Sequence, residues 1–176
     1  GLSFVNGELV QNIKFSAGGF QAKYGDKLSS VLDIQYRIPT KFKVGLNASL
    51  IGASLTAEGT VLNNKMSVLF GFRHRDNSLF INSKEIETTT KPQFTDVQTF
   101  LSYIVSKKFK LDFLGNISLN KYDFIPTARR TNFGSVTNPL ALIVYYEGKE
   151  KVAFKTYFGA LKGSYIVSEN INVSLT

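Results

Sequence analysis

The sequence contains no cysteine and only one histidine. The lack of cysteine excludes disulfide scaffolds, thiolate metal sites and cysteine nucleophiles. The single histidine, His74, cannot form a histidine-cluster metal site. A catalytic imidazole between Arg73 and Arg75 would also need an orienting carboxylate. We therefore expect His74 to be an ordinary strand or loop residue.

Acidic residues are also few, with 13 Asp and Glu in 176 residues. No two of them stand out as an acid and base pair for catalysis. The sequence therefore predicts neither an enzyme nor a bound cofactor.

Long hydrophobic runs are absent as well. No stretch of about 18 apolar residues occurs, so the sequence offers no candidate transmembrane helix. The strands of a membrane barrel alternate lipid-facing and lumen-facing residues and average out on a hydropathy scale, which is compatible with the mean hydropathy of -0.02. The chain begins without an initiator methionine or a signal segment and ends inside an alternating run, which favours an internal piece of a longer protein.

The chain is basic, with a net charge of +8. Its Lys and Arg residues are scattered, and the tightest groups are Arg73–Arg75, Lys107–Lys108 and Arg129–Arg130. No basic helix and no recognised nucleic-acid motif accompanies them. We therefore expect no nucleic-acid partner.

Alternation with a period of two residues is the dominant pattern, whereas helical periodicity is hard to find. The clearest run places Phe109, Leu111 and Phe113 on one face and continues to Asn120. This run is about twice as long as an ordinary globular strand, but it matches the roughly 9–11 residues of a tilted strand across a bilayer. Similar runs cover residues 42–50, 66–73, 97–105, 152–165 and 171–175, and two shorter ones cover 10–15 and 30–37.

Short polar turns separate several of these runs. The stretch Tyr103–Leu111 resembles Tyr165–Val173, each being a strand end, a turn and a strand start, and Leu62–Met66 has the same character. Two long polar connections, 76–94 and 122–151, lie between the short turns. Short turns at one rim and long loops at the other are typical of transmembrane barrels.

One segment carries a more specific signal. Residues 15–34 read FSAGGFQAKYGDKLSSVLDI. This segment resembles the closing part of the plug domain of TonB-dependent receptors of the Bacteroidetes type, where a GGF-x-A-x-YG element leads through LSSVLDI into the first barrel strand. Residues 56–59 and 71–76 agree loosely with the same family. The motif positions are Gly18, Gly19, Phe20, Tyr24, Gly25, Asp26, Ser29 and Ser30.

The resemblance implies an all-β chain: an antiparallel meander of long strands, forming part of an outer-membrane β-barrel, preceded by a short plug-derived β element. Residues 1–38 would be the C-terminal part of the plug, and residues 39–176 the first six or seven barrel strands with two long loops. The parent protein would be a transport receptor in the bacterial outer membrane that takes up a nutrient or siderophore. Its partners would be outer-membrane lipid, the rest of the barrel, the small ligand and the TonB complex.

Within the long loops, Tyr122, Arg129, Arg130 and Phe133 are the candidate ligand residues, although solvated loop arginines are the commoner explanation. Two alternatives stay open: a complete small outer-membrane barrel or adhesin, and a soluble carbohydrate-binding β-sandwich. The segment by itself would not transport. Its unpaired strand edges and apolar outer face predict that it self-associates.

Overall fold

The computed structural model describes residues 5–19, 21, 24–25, 29–76, 90–124, 129–135, 137–145, 148, 150–169 and 171–176. Within these residues the chain forms β-strands and one short 3-10 helix, Gly7–Leu9, and it has no α-helix. The strands are β1 (Val10–Ser16), β2 (Val31–Tyr36), β3 (Lys43–Ser49), β4 (Gly52–Val61), β5 (Met66–Asp76), β6 (Thr90–Ser106), β7 (Phe109–Phe124), β8 (Arg129–Ser135), β9 (Asn138–Val144), β10 (Glu150–Ser168) and β11 (Ile171–Leu175).

Seven strands form one antiparallel sheet in the order β11-β10-β7-β6-β5-β4-β3. Neighbours in the sheet are neighbours in sequence, apart from the β8–β9 hairpin that lies between β7 and β10. The predicted all-β antiparallel meander is therefore confirmed. Its central strands are long, with 17 residues in β6, 16 in β7 and 19 in β10.

Short turns join the strands at one rim, which we call the short-turn rim: residues 62–65, 107–108 and the turn beginning at Glu169. The first of these turns has left-handed backbone at Leu62, Asn63 and Asn64, with φ of 54°, 54° and 64°. Asparagine tolerates this conformation better than most residues, which suits it to a turn. At the second turn the Ser106 hydroxyl accepts from the backbone N–H groups of Lys108 and Phe109.

The opposite rim, which we call the long-connection rim, differs from the sequence expectation. The predicted loops 76–94 and 122–151 are shorter, because strand pairing continues past the predicted ends and places both Thr90 and Glu150 opposite Phe124. The second connection also contains the separate two-stranded sheet of β8 and β9. The sequence predicts a loop here, and the structure instead forms a hairpin in which Phe133 lies opposite Leu140.

The N-terminal segment, by which we mean residues 5–38, contains the 3-10 helix and a two-stranded sheet of β1 and β2. These strands match the two short extended runs predicted from the sequence, and a bulge interrupts their pairing between Val10 and Asn12. Pro39 separates the segment from β3, at the predicted break. The origin of this segment in a plug domain stays a prediction.

Both edges of the seven-stranded sheet, β3 and β11, are unpaired. In a seven-stranded antiparallel meander the first and last strands run in the same direction. Closing this sheet into an antiparallel barrel would therefore require an odd number of further strands.

Candidate functional site

The two faces of the seven-stranded sheet have opposite chemistry. Directly opposed residues of antiparallel strands point to the same side, and successive residues alternate. The cross-strand row Leu46, Leu55, Phe72, Val97, Ile117 and Tyr157 therefore lies on one face, which we call the apolar face. The three rows between it and the short-turn rim contain no charged residue either; their larger members include Val68, Phe70, Leu101, Tyr103, Leu111, Phe113 and Leu161.

The apolar face is open to the surroundings. Leu46 is 74% exposed and Tyr157 is 71% exposed, and Ile117, Leu161 and Leu175 are also exposed. The other side, which we call the polar face, carries mainly hydrophilic residues. They include Asn47, Ser54, Thr56, Arg73, Asp96, Gln98, Ser102, Asp112, Asn116, Ser118 and Thr156.

The pattern of burial is the reverse of that in soluble domains: polar side chains are buried and large apolar side chains are exposed. Within the described residues, the buried polar side chains are Asn6, Ser54, Asp96, Gln98, Ser102 and Asn116, whereas the buried hydrophobic core contains only Leu9 and Leu69. Soluble domains instead bury their large apolar residues. In this protein the N-terminal segment covers the polar face and leaves the apolar face bare.

Leu9 and Asn6 pack the N-terminal segment closely against the sheet. Both are fully buried, and they lie over Gly71 of β5. A Cβ atom at Gly71 would stand 2.6 Å from Asn6 Nδ2 and 3.0 Å from Leu9 Cδ1. The lack of a side chain at Gly71 thus allows this close approach.

A buried ion pair on the polar face holds the same segment. The Arg73 guanidinium donates from Nε and Nη2 to the two carboxylate oxygens of Asp96, each at 2.8 Å. Its Nη1 donates to the backbone oxygen of Val5 at 3.2 Å, and its Cζ lies 5.6 Å from the centroid of the Phe94 ring. The two side chains are only 11% and 4% exposed, so bulk water screens this pair little.

Glu8 of the 3-10 helix reaches the first two strands of the sheet. Its Oε1 accepts from Ser54 Oγ at 2.7 Å and from Asn47 Nδ2 at 3.0 Å. Nearby, the Arg37 guanidinium lies 3.0 Å from Glu58 Oε2, and Lys43 Nζ lies 3.8 Å from the other oxygen of Glu58. Polar and ionic contacts therefore dominate the docking of the N-terminal segment.

Tyr36 at the end of β2 adds an aromatic contact. Its ring stacks on Phe100 of β6 with centroids 5.0 Å apart. Its buried hydroxyl has no hydrogen-bond partner in the described part of the chain. Burial raises the pKa of the Tyr36 phenol above its usual range, and the nearby Arg73 charge partly opposes this effect.

A pH prediction follows from Tyr36. The pKa of Tyr36 in the folded protein lies above the unfolded value of about 10. The stability that its neutral phenol contributes is therefore intact below that pH and is lost as the pH rises through the folded pKa. We expect the urea midpoint, followed by circular dichroism, to fall less between about pH 8 and about pH 11 in Tyr36→Phe than in the parent. Equal losses in both proteins would contradict this assignment.

A cavity of about 460 Å³ separates the β1–β2 hairpin from the seven-stranded sheet near the short-turn rim. Asp33, Gln35 and Tyr36 line it from the hairpin, and Lys110, Asp112 and Lys162 line it from β7 and β10. Lys110 Nζ lies 3.1 Å from Asp112 Oδ1, which pairs two of these charges. The N-terminal segment therefore contacts the polar face at some points and leaves space at others.

Comparisons with protein-family models, with curated proteins and with solved structures each found no match. In the described residues, no helix has the length and apolar character needed to cross a bilayer. The same residues contain no cluster of three or more His, Cys, Asp or Glu suited to a metal ion.

The plug-motif residues lie in the connection between β1 and β2. Gly19 has a left-handed φ of 60°, which favours glycine, and Gly18 precedes it in the same bend. The Tyr24 hydroxyl donates to Asp33 Oδ2, which ties this connection back to β2. The remaining described members are Gly25, Ser29 and Ser30, whereas Phe20 and Asp26 lie outside the described residues.

The candidate ligand residues are not gathered at one place. Tyr122 belongs to β7, where its ring stacks on Phe154 of β10 at 5.8 Å between centroids. Arg130 and Phe133 belong to β8, at positions of opposite parity and hence on opposite faces of the hairpin. Arg129 also lies in β8, but its side chain is outside the described residues. Arg130 and Phe133 therefore do not share a face of the hairpin, and a ligand-binding role for the four residues stays a prediction.

Sequence reasoning missed the residues that dock the N-terminal segment: Asn6, Glu8, Arg73 and Asp96. A usable signal existed, because Arg73 and Asp96 interrupt strands at positions that alternate with apolar residues. His74, in contrast, lies on the apolar face toward the long-connection rim, where its Nδ1 is 2.8 Å from Thr95 Oγ1.

Proposed function

We propose that the seven-stranded sheet is part of the wall of an outer-membrane β-barrel in a TonB-dependent transport receptor, with residues 1–38 as the end of its plug. The observation that carries this proposal is the reversed polarity of the sheet. An exposed apolar face opposite a covered polar face suits a wall between lipid outside and water inside. The resemblance of residues 15–34 to a plug sequence supplies the receptor type.

The height of the apolar face supports a membrane location. On β7 this face runs from Phe109 to Leu119, a distance of roughly 33 Å along the strand at about 3.3 Å per residue. A strand tilted by about 40° would then span roughly 25 Å, which is the height of the apolar band of outer-membrane barrels. A soluble sandwich would need a second sheet over this face, whereas the N-terminal hairpin covers the other one.

In such a receptor, the contacts of the N-terminal segment suit a plug that must leave the wall. Glu8 of the segment accepts from Asn47 and Ser54 on the polar face, and Arg73 of that face donates to the Val5 carbonyl. Water can solvate these polar groups after release. Little apolar area would be exposed by the movement, because the apolar contacts there are few in the described residues: the buried Leu9 and Leu69 and the stack of Tyr36 on Phe100. The transported ligand would be a small nutrient or siderophore entering from the long-connection rim.

A labelling experiment tests the membrane location. The chain has no native cysteine, so Tyr157→Cys and Thr156→Cys place a single thiol on neighbouring residues of β10 that face opposite sides. Both positions are exposed. With a bimane label and the protein in phospholipid vesicles, nitroxide lipids should quench the label at 157 strongly and the label at 156 weakly. Equal quenching at the two positions would contradict the proposal.

An uptake experiment tests the receptor role. A bacterium carrying the gene and a strain lacking it would be compared for energy-dependent uptake across a panel of labelled siderophores and nutrients. We expect the deletion and an uncoupler to abolish uptake of the same solute. Unchanged uptake of the entire panel would contradict transport while leaving the membrane location intact.

In plain buffer, we expect the isolated chain to self-associate through the β3 and β11 edges.

A further inference from the structure

We propose that the short-turn rim binds the phosphate headgroups of an anionic phospholipid leaflet. This inference rests on the proposed membrane location and adds the chemistry of the surface that one rim contacts. It is carried by an uneven distribution of charge between the two rims, by a cationic cleft at the short-turn rim, and by aromatic residues of the apolar face at the same rim.

The short-turn rim presents a collar of exposed lysines: Lys41, Lys65, Lys107 and Lys108. Among the described residues in the turns of this rim, Glu169 is the acidic one. These four lysines form no ion pair within the described residues, where the salt bridges involve Arg37, Lys43, Arg73 and Lys110 instead. The charge of the collar is therefore available to an external anion.

The long-connection rim provides an internal contrast. There Arg75, Lys121 and Lys151 alternate with Asp76, Asp123 and Glu150, and Lys151 lies directly opposite Asp123. Charges of both signs at this rim compensate one another across the strands. Among the described strand-end residues of the seven-stranded sheet, the excess of positive charge is thus concentrated at the short-turn rim.

A cleft of about 290 Å³ opens at this rim, between the N-terminal segment and the start of β3. Arg37, Lys41 and Lys43 line it together with one carboxylate, that of Glu58. The Glu58 carboxylate forms ion pairs with Arg37 and Lys43. Three cationic side chains and one carboxylate leave the cleft with an excess of two positive charges. A phosphodiester group has the charge and the acceptor oxygens that such a site would bind.

The apolar face reaches the rim beside this cleft, although Lys43 and Glu58 of the cleft belong to the polar face. Phe42, between the two lysines of the cleft, is 79% exposed and packs against Gly59 of β4. Farther along the rim the rings of Phe109 and Tyr165 lie 6.4 Å apart on the same face. Aromatic rings at the depth of the headgroups with lysines reaching outward are the arrangement expected at a membrane interface. The occupant is therefore a lipid leaflet.

The test uses the full chain with vesicles of phosphatidylcholine alone or with a portion of phosphatidylglycerol, at low and high salt. The collar variant replaces Lys41, Lys107 and Lys108 by Gln. A matched control replaces Lys121, Lys151 and Lys155 by Gln, which removes the same charge nearer the opposite rim. A lysine close to an anionic surface contributes about fivefold in affinity at low salt, so we expect the collar variant to lose at least about tenfold of the preference for phosphatidylglycerol. The control should lose little.

The outcomes separate this inference from the proposed function. Association with both vesicles without preference for phosphatidylglycerol, or equal losses in the two variants, would overturn the inference and leave the membrane location standing. Association with neither vesicle would contradict the membrane location, and the inference with it. Tight binding of inorganic phosphate without vesicles, combined with no lipid preference, would instead make the cleft a site for free anions and overturn the lipid assignment.

Discussion

Replacing Arg73 by Met is expected to lower the free energy of unfolding by about 3–5 kcal/mol, because it leaves the Asp96 carboxylate buried without its ionic partner. The Asp96 side chain is only 4% exposed, so water cannot take over the two lost hydrogen bonds without opening the interface. Urea unfolding of the protein in detergent micelles measures the loss. Hydrogen exchange should also accelerate at Val5 and in the 3-10 helix, since Arg73 donates to the Val5 carbonyl.

The double variant Arg73→Met with Asp96→Leu is the control for this prediction. A buried ion pair replaced as a whole by apolar residues of similar size is often close to neutral. We therefore expect the double variant to recover most of the loss seen in the single variant. Should both variants be equally unstable, the loss would come from packing and not from an uncompensated charge.

Replacing Gly71 by Val is expected to detach the N-terminal segment while the seven-stranded sheet stays folded. The new side chain would occupy the space of Asn6 and Leu9, which are both fully buried. Overpacking of this kind typically costs about 1–3 kcal/mol. Amides of residues 5–16 should then exchange about 5 to 100 times faster, and the segment should become sensitive to proteases.

Gly159→Val provides the matched control. Gly159 is also a strand glycine, but it lies on the apolar face, where the nearest side-chain atom is 4.0 Å from the position of a Cβ. Its substitution should leave exchange in residues 5–16 unchanged. If the two variants released the segment equally, the contact at Gly71 would not be what limits the approach of Leu9.

The strands that the sequence predicted are those in which apolar and polar residues alternate strongly within the strand itself. Phe109, Leu111 and Phe113 mark one face of β7 directly in the sequence, and polar turns such as Leu62–Lys65 mark the ends of neighbouring strands. The ends at the long-connection rim were not predictable, because pairing there depends on the partner strand and not on the local pattern. Pro92 illustrates this: it lies one residue beyond the last described β5–β6 pair, and it pairs with Tyr122 of β7.

The candidate site was less accessible to sequence reasoning. The motif glycines were found from a resemblance, and the candidate Arg130 and Phe133 were chosen for their residue types. The β8–β9 register then separated them onto opposite faces. The type of a residue does not show which other side chains lie on the same face of the sheet.

By itself, the sequence determined that each long strand has one apolar side and one polar side, because the side-chain period of an extended chain is two whatever the strand pairs with. Only the tertiary structure decided that the N-terminal segment covers the polar side. It also brought Arg73 and Asp96 together from positions 23 apart in the chain. The physical reason is that a register and a docked segment are set by contacts between distant residues, and these contacts exist only once the strands have paired.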